Sequence, residues 1–320
     1  MRGPGGHVRR PADGLSGLTG ARPLRAGYLA LVLVHLVAHL LLLLGLAGAT
    51  LAAGRDRPRA ARAIAGVTLL VALPLQLAIA KHPWVLANLT GWTDVVFWSE
   101  LWVHLAAVIT IAGGLAQPRG ARRVRTAVLG AVLVTVAVLA TPWPGFAPPS
   151  LGRPFVDADD VVRQSSPSSC AAAAAATLLR RLRIEPGATE SELAARCLTD
   201  PRSGTSDLGL YRGLRLSAPG RGVRFAHPGL AGLRARSAPC IAFVGLRDGS
   251  TADPRLFALL RDECGWDPGE LHAVVLRGIE PGRAGEEAEV ALIDDPRHGH
   301  ERWSMSHFEV LWTGAIVEVR

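Results

Sequence analysis

Lysine is almost missing: of 35 lysine and arginine residues, Lys81 is the only lysine. A phosphate-cradling loop needs a glycine-rich run ending in Lys-Ser or Lys-Thr, and none is present, so the sequence carries no recognisable ATPase. Cysteine is scarce as well. The 4 cysteines stand at 170, 197, 240 and 264, with no two close enough for a Cys-x-x-Cys clamp, which excludes a zinc ribbon. A disulfide among Cys197, Cys240 and Cys264 stays open in an oxidising compartment and would leave Cys170 free. Aromatic residues make up only 5% and do not interleave with the basic ones, so the net charge of +8 does not read as a nucleic-acid surface.

What is abundant is unevenly placed. Mean hydropathy is +0.25, and the excess lies before Pro142, where Leu/Ala/Val runs alternate with arginine-rich segments. A crossing helix needs roughly 20 apolar residues. Tyr28 to Ala53 meets that length, with His35 and His39 as polar interruptions. Ala63 to Ala80, between Arg62 and Lys81, Val95 to Ala116, and Val124 to Ala140, behind Arg122, Arg123 and Arg125, read as further crossings. The first run is longer than the roughly 7 to 15 apolar residues of a cleaved signal, so an uncleaved helix is expected.

Glu100 and His104 lie one helical turn apart in the third run, beside Trp98 and Trp102, which places them at an interfacial belt. The arginine-rich loops at 55–62 and 119–125 assign themselves to the cytoplasm and the C-terminal half to the opposite side. The expected organisation is a basic segment over 1–27, a membrane domain of about four transmembrane helices over 28–141, a Pro-rich linker over 142–158 and a globular domain over 159–320. A multi-pass membrane location with lipid contact follows from it.

In the globular half, Ser165-Ser166-Pro167-Ser168-Ser169-Cys170 runs into six alanines and then Thr177-Leu178-Leu179-Arg180-Arg181-Leu182. Alanine is the best helix former, so a helix is expected to start at Cys170, capped by Ser168 or Ser169. A thiol in a first helical turn is stabilised as thiolate, the nucleophilic form. Short strands are expected at Ala238 to Val244, Leu271 to Leu276, Glu289 to Ile293 and Ala315 to Val319, forming an antiparallel sheet. His272 opens the second and Asp294-Asp295-Pro296 closes the third. Adjacent strand residues face opposite ways, so only one of the two aspartates can meet His272. His298-Gly299-His300 lacks a third ligand; no metal and no cofactor are expected.

Residues from about 160 to 320 resemble the papain-like cysteine peptidases, cysteine peptidase family thirty-nine, that remove double-glycine leaders from bacteriocins. The likeness rests on Gln164 six positions before Cys170, on His272-Ala273-Val274-Val275-Leu276, and on Asp295-Pro296 with Gly299 shortly after. Gly204-Thr205-Ser206 resembles the family's middle turn, and Ser304, Phe308 and Trp312-Thr313-Gly314 its closing segment. Two departures stand out. Ser169-Cys170-Ala171 replaces the usual Asp-Cys-Gly, and the membrane part precedes the peptidase part, with four spans instead of six and no ATPase.

The apolar runs and the resemblance together give the expected fold: a multi-span α-helical membrane domain from hydropathy, followed by what the resemblance implies, an α+β papain-like cysteine peptidase domain with an antiparallel sheet. The resemblance also implies that Cys170 attacks the scissile carbonyl, His272 moves the proton, Asp295 orients the imidazole and Gln164 donates to the oxyanion. The implied partners are a peptide or protein substrate such as a leader, the lipid bilayer and a separate ABC exporter. Two other classes stay open: a catalytically silent peptide-binding module, and a membrane sensor or transporter accessory in which Glu100 or His104 is essential.

Overall fold

The computed structural model describes residues 81–98, 151–152 and 155–320, with isolated positions between 34 and 128. A small antiparallel pair, β1 (Phe155–Val156) and β2 (Val162–Arg163), leads into a six-stranded sheet. Its strands are β3 (Val223–Ala226), β4 (Cys240–Val244), β5 (His272–Pro281), β6 (Glu289–Asp295), β7 (Gly299–Ser304) and β8 (Trp312–Val319), in spatial order β3-β8-β4-β5-β6-β7. Every neighbouring pair is antiparallel. β4, β5, β6 and β8 occupy the four apolar segments that predict strands. β3 and β7 are the two edges, short or polar enough to leave no such signal.

The sheet is covered on both faces, which is why its inner strands read as unbroken apolar runs. Ala273 and Val275 of β5, with Ile241 and Val317, pack into one core; Val274 and Leu276, with Ala242 and Ile316, pack into the other. Helices α1 (Pro83–Thr90), α2 (Val95–Trp98), α3 (Cys170–Arg181), α4 (Glu190–Arg196) and α5 (Asp207–Ser217) build the first side. Helices α6 (Leu230–Arg234), α7 (Pro254–Asp262) and α8 (Met305–Leu311) contribute Leu233, Leu260 and Phe308 to the second.

α3 is the pillar of the first layer. Ala171 to Ala176, Thr177, Leu178 and Leu179 are all buried, because α3 is wedged between the sheet and α4 and α5. Methyl side chains let those neighbours approach; larger ones would hold them off. Thr177 Oγ1 accepts from the Val162 backbone N–H at 2.9 Å, and Arg181 Nε donates to Asp294 Oδ2 at 2.8 Å. α4 starts on a capping arrangement in which Thr189 Oγ1 accepts from Glu192 N, and α5 on Ser206 Oγ accepting from Gly209 N.

The expectation of a multi-span membrane domain needs correction. Among the described residues no helix is long and apolar enough to cross a membrane. Most of the runs 28–53, 63–80, 95–116 and 124–140, Glu100 and His104 included, lies outside those residues. Where the N-terminal half is described, it does something that hydropathy does not reveal: it joins the globular core. Ala87 is fully buried and Val95 nearly so, in the same cluster as Tyr211 and Phe225. Arg212 Nε donates to Asp94 Oδ1 at 2.9 Å. Asn88 donates to Phe225 O at 2.9 Å and accepts from Phe225 N at 3.0 Å, filling the outer hydrogen-bonding edge of β3. An apolar count registers only that these residues avoid water, not whether lipid or protein covers them. The described fold is mixed α/β with antiparallel sheets.

Candidate active site

The site forms where α3 begins, β5 begins and β6 ends. Antiparallel pairing of β5 with β6 sets the start of one strand beside the end of the other. His272 Nε2 and Asp295 Oδ1 therefore meet at 3.1 Å, both residues almost fully buried. Asp294, one residue earlier, points the other way to Arg181 and to His300 Nδ1 at 3.1 Å.

The Asp295 carboxylate is fixed from a second direction. Its Oδ1 accepts from the backbone N–H of Arg297 at 2.6 Å and of His298 at 3.4 Å, a turn that Pro296 and Gly299 allow. Burial raises its pKa, but the His272 bond and charge, with the Arg297 N–H, hold the carboxyl below the ordinary value of 3.8. Trp266 covers His272 edge-on, ring centroids 6.1 Å apart.

Cys170 is half-buried at the head of α3. Burial pushes its thiol pKa up, yet the His272 side chain and the backbone N–H groups of Ala273 and Ala171 pull it below the ordinary 9.0. Burial works on His272 in the opposite sense, and Asp295 and Cys170 together overcome it, lifting the imidazole from 6.5 to about 9. The directions agree: the proton belongs on the imidazole and the negative charge on sulfur. Nδ1 of His272, the nitrogen not taken by Asp295, is buried without an aligned hydrogen bond. The thiol stands near enough to shift it.

The other cysteines behave differently. Burial drives Cys197 up to about 12 and Cys240 up to about 11, and Cys264 is also raised. All four are free thiols, so no disulfide joins the three that could pair.

The expected cap of α3 differs from the sequence reading. Ser169 is the N-cap residue, but its backbone is not extended and its hydroxyl makes no cap bond. The hydroxyl proton goes instead to Glu190 Oε1 at 2.5 Å, with Ser166 O also within 2.8 Å of the hydroxyl oxygen. The Ala171 N–H is left to face the sulfur.

Gln164 lies on the loop entering α3. Its backbone N–H donates to Pro296 O at 2.9 Å, tying the loop to the turn that follows Asp295. Its side-chain Nε2 donates to Ser166 O at 3.0 Å, and Oε1 is buried and unpaired. An amide nitrogen carries two hydrogens, so one donor remains.

Cys170 opens onto a cavity of about 490 Å3 walled by Pro167, Pro201, Gly204, Glu270 and Leu271. Gly204 has φ +81°, and a Cβ there would come to 3.3 Å of Ser168 O, so the turn 204–206 approaches the loop before Cys170 in a conformation that favours glycine. Leu271, next to His272, is 64% exposed at this wall. On the far side of His272 and Asp295 a second cavity of about 300 Å3 is lined by Cys264, Trp266 and Trp303.

Sequence reasoning missed Trp266 and Glu190. Trp266 sits in a loop with no recognisable spacing to His272. Glu190 follows the capping Thr189 and reads as an ordinary first-turn acid, whereas it is 1% exposed.

No protein-family model and no curated protein matches the chain. Among solved structures it is similar to a double glycine motif protease from an AMS/PCAT transporter, determined in complex with the leader peptide, with 20% identity, 53% of this chain and 95% of that chain covered, and a TM-score of 0.35.

Proposed function

We propose that residues 155–320, with the packed segment 81–98, form a cysteine peptidase that hydrolyses peptide bonds. The observation that carries this reading is His272 held by Asp295 at 3.1 Å with Cys170 beside it at the head of α3, an arrangement that lowers the thiol pKa and raises the imidazole to about 9. A thiolate beside an imidazolium is an attacking group and a proton donor already in position.

In the proposed reaction the Cys170 sulfur adds to the scissile carbonyl carbon and the carbonyl electron pair moves onto oxygen. In this reading the second Gln164 Nε2–H donates to that developing charge, the role the resemblance implies; one such donor is worth about 3 to 4 kcal/mol in a transition state. His272 gives its proton to the leaving amine, and the carbonyl reforms as the C–N bond breaks. Water, deprotonated by His272, then attacks the thioester and releases the thiol. Asp295 keeps Nε2 bonded throughout, so Nδ1 always faces the sulfur.

The substrate class is the one that the resemblance of the motifs around Gln164, Cys170, His272 and Asp295 implies, a leader peptide ending in two glycines. The test uses the full chain with a fluorogenic peptide carrying Gly-Gly before the cleaved bond, products identified by mass. Cleavage that falls by 100-fold or more in Cys170→Ala supports the reading. Equal cleavage by both, or none by the wild type, overturns it.

A further inference from the structure

The loop 164–170 has the proposed oxyanion donor at one end and the nucleophile at the other, and a single buried carboxylate oxygen holds it near both. Glu190 Oε1 accepts from the Ser165 backbone N–H at 2.7 Å and from the Ser169 hydroxyl at 2.5 Å. Ser165 adjoins Gln164 and Ser169 adjoins Cys170. Within the loop, Ser169 Oγ also accepts from Ser166 N at 3.2 Å, closing a ring of hydrogen bonds around Ser166 to Ser169.

Nothing about α4 itself requires this. A first-turn glutamate belongs in water, where it serves the helix dipole as well, and Glu192 in the same turn already bonds the capping Thr189. Glu190 is instead 1% exposed, and its second oxygen, Oε2, is buried with no partner. A buried carboxylate with one unsatisfied oxygen is costly. What it obtains is the fixed position of Ser165 and Ser169.

We infer that Glu190 is a positioning residue that sets the geometry of the oxyanion site by gripping the loop beside Gln164 and beside Cys170. This rests on the peptidase reading above. Ser165 N–H and Ser169 O–H converge on one atom, which fixes the span between the two ends of the loop. Without that atom the ends separate, and Gln164 no longer points where the carbonyl oxygen becomes charged. Cys170 itself is the first residue of α3 and faces the Ala171 N–H, so the helix holds its thiol when Glu190 is removed.

The consequence separates two reactions of one sulfur. Alkylation by iodoacetamide displaces iodide at carbon and develops no oxyanion. Addition to a peptide aldehyde forms a carbon–sulfur bond, turns the carbonyl oxygen into an oxyanion and draws the His272 proton toward it. The experiment measures both on the full chain, with iodoacetamide and a tripeptide aldehyde ending in two glycines. Glu190→Ala is expected to weaken aldehyde binding by tenfold or more while leaving Cys170 alkylation within twofold. Glu190→Gln, whose amide oxygen still accepts, is expected to recover most of the affinity, and Gln164→Ala to reproduce the loss.

Should Glu190→Ala fail to fold, Ser169→Ala removes one of the two donors and carries the same test with a smaller expected loss of about threefold. Wild-type aldehyde affinity in a folded Glu190→Ala, or in Ser169→Ala where the first does not fold, overturns the inference. So does an equal fall in both reactions, which a purely structural role would produce. Failure of the peptidase reading looks different: wild-type Cys170 alkylates no faster than Cys264.

Discussion

His272 and Asp295 face one another from adjacent antiparallel strands, Nε2 to Oδ1 at 3.1 Å, both almost fully buried. Because the pairing of β5 with β6 sets that distance, the sheet itself orients the imidazole toward the head of α3.

The first expected outcome concerns the four thiols. At neutral pH Cys170 reacts with iodoacetamide faster than Cys264, although Cys264 is the exposed one, and far faster than Cys197 and Cys240. Replacing His272 with Ala removes the strongest influence lowering the thiol and slows Cys170 by about tenfold or more. Peptide mapping after timed labelling reads all four rates together; a fastest reaction at Cys264 refutes the assignment.

Asp294 and Asp295 are chemically identical neighbours with different partners, so paired substitutions distinguish their work. Asp295→Asn takes away the charge that supports the imidazolium, and Cys170 alkylation drops by about tenfold or more. Asp294→Asn leaves that rate within about twofold and instead costs about 1–3 kcal/mol of stability through the Arg181 bond. Reversal of the two phenotypes would show that the strand is read in the wrong register.

The pair also makes a claim about pH. His272 rises from 6.5 to about 9 on folding, so its contribution is complete below pH 6.5 and lost as pH rises through about 9. Cys170 is lowered from 9.0, so its contribution is complete above 9.0 and lost as pH falls through the folded value. As pH rises from 6.5 toward 9 the His272 contribution is being lost while the Cys170 contribution is being gained, so the two oppose one another. Cys170→Ala removes the gain and keeps the share of the His272 shift that Asp295 supplies, so the variant is expected to lose stability with rising pH more steeply than wild type. Melts of both across that window check this, and an equal or shallower fall in the variant contradicts the ion pair.

Two glycines in α5 explain how close that helix sits. A methyl added at Gly213 would run into the sulfur of Cys197, and one at Gly209 into the Cys197 carbonyl. Gly213→Ala is expected to destabilise by about 1–3 kcal/mol, and adding Cys197→Ala to recover a large part of it. Denaturant melts of the single and double variants check this; simple additivity of the two losses argues against direct contact.

Asn88 reaches across 137 positions to bond both backbone groups of Phe225. Asn88→Ala removes two hydrogen bonds and is expected to cost about 1–3 kcal/mol. Hydrogen exchange at Phe225 should accelerate while that at His272 stays unchanged; unaltered exchange at Phe225 would mean that the side chain does not hold the strand.

Much of the site is legible in the sequence because it depends on local signals. A serine-rich loop running into alanines marks a helix start, and His272 and Asp295 bracket apolar strands whose both faces are buried. What stayed hidden depends on burial and on distance along the chain. Gly299 to Ser304 is an edge strand with largely polar, half-buried side chains, so it shows no apolar alternation. Ser169 looks like a cap until Glu190, 21 residues on, claims its hydroxyl. The segment 81–98 looks like a membrane loop and the start of a span because hydropathy cannot distinguish a core residue such as Ala87 or Val95 from one facing lipid.

Sheets with a bare outer strand invite a second molecule to add its own. Here the amide of Asn88 already occupies the donor and acceptor of Phe225 that an incoming strand would need. An intruder would have to lift α1 away first, so a side chain borrowed from the N-terminal half guards the C-terminal half against polymerising through that edge.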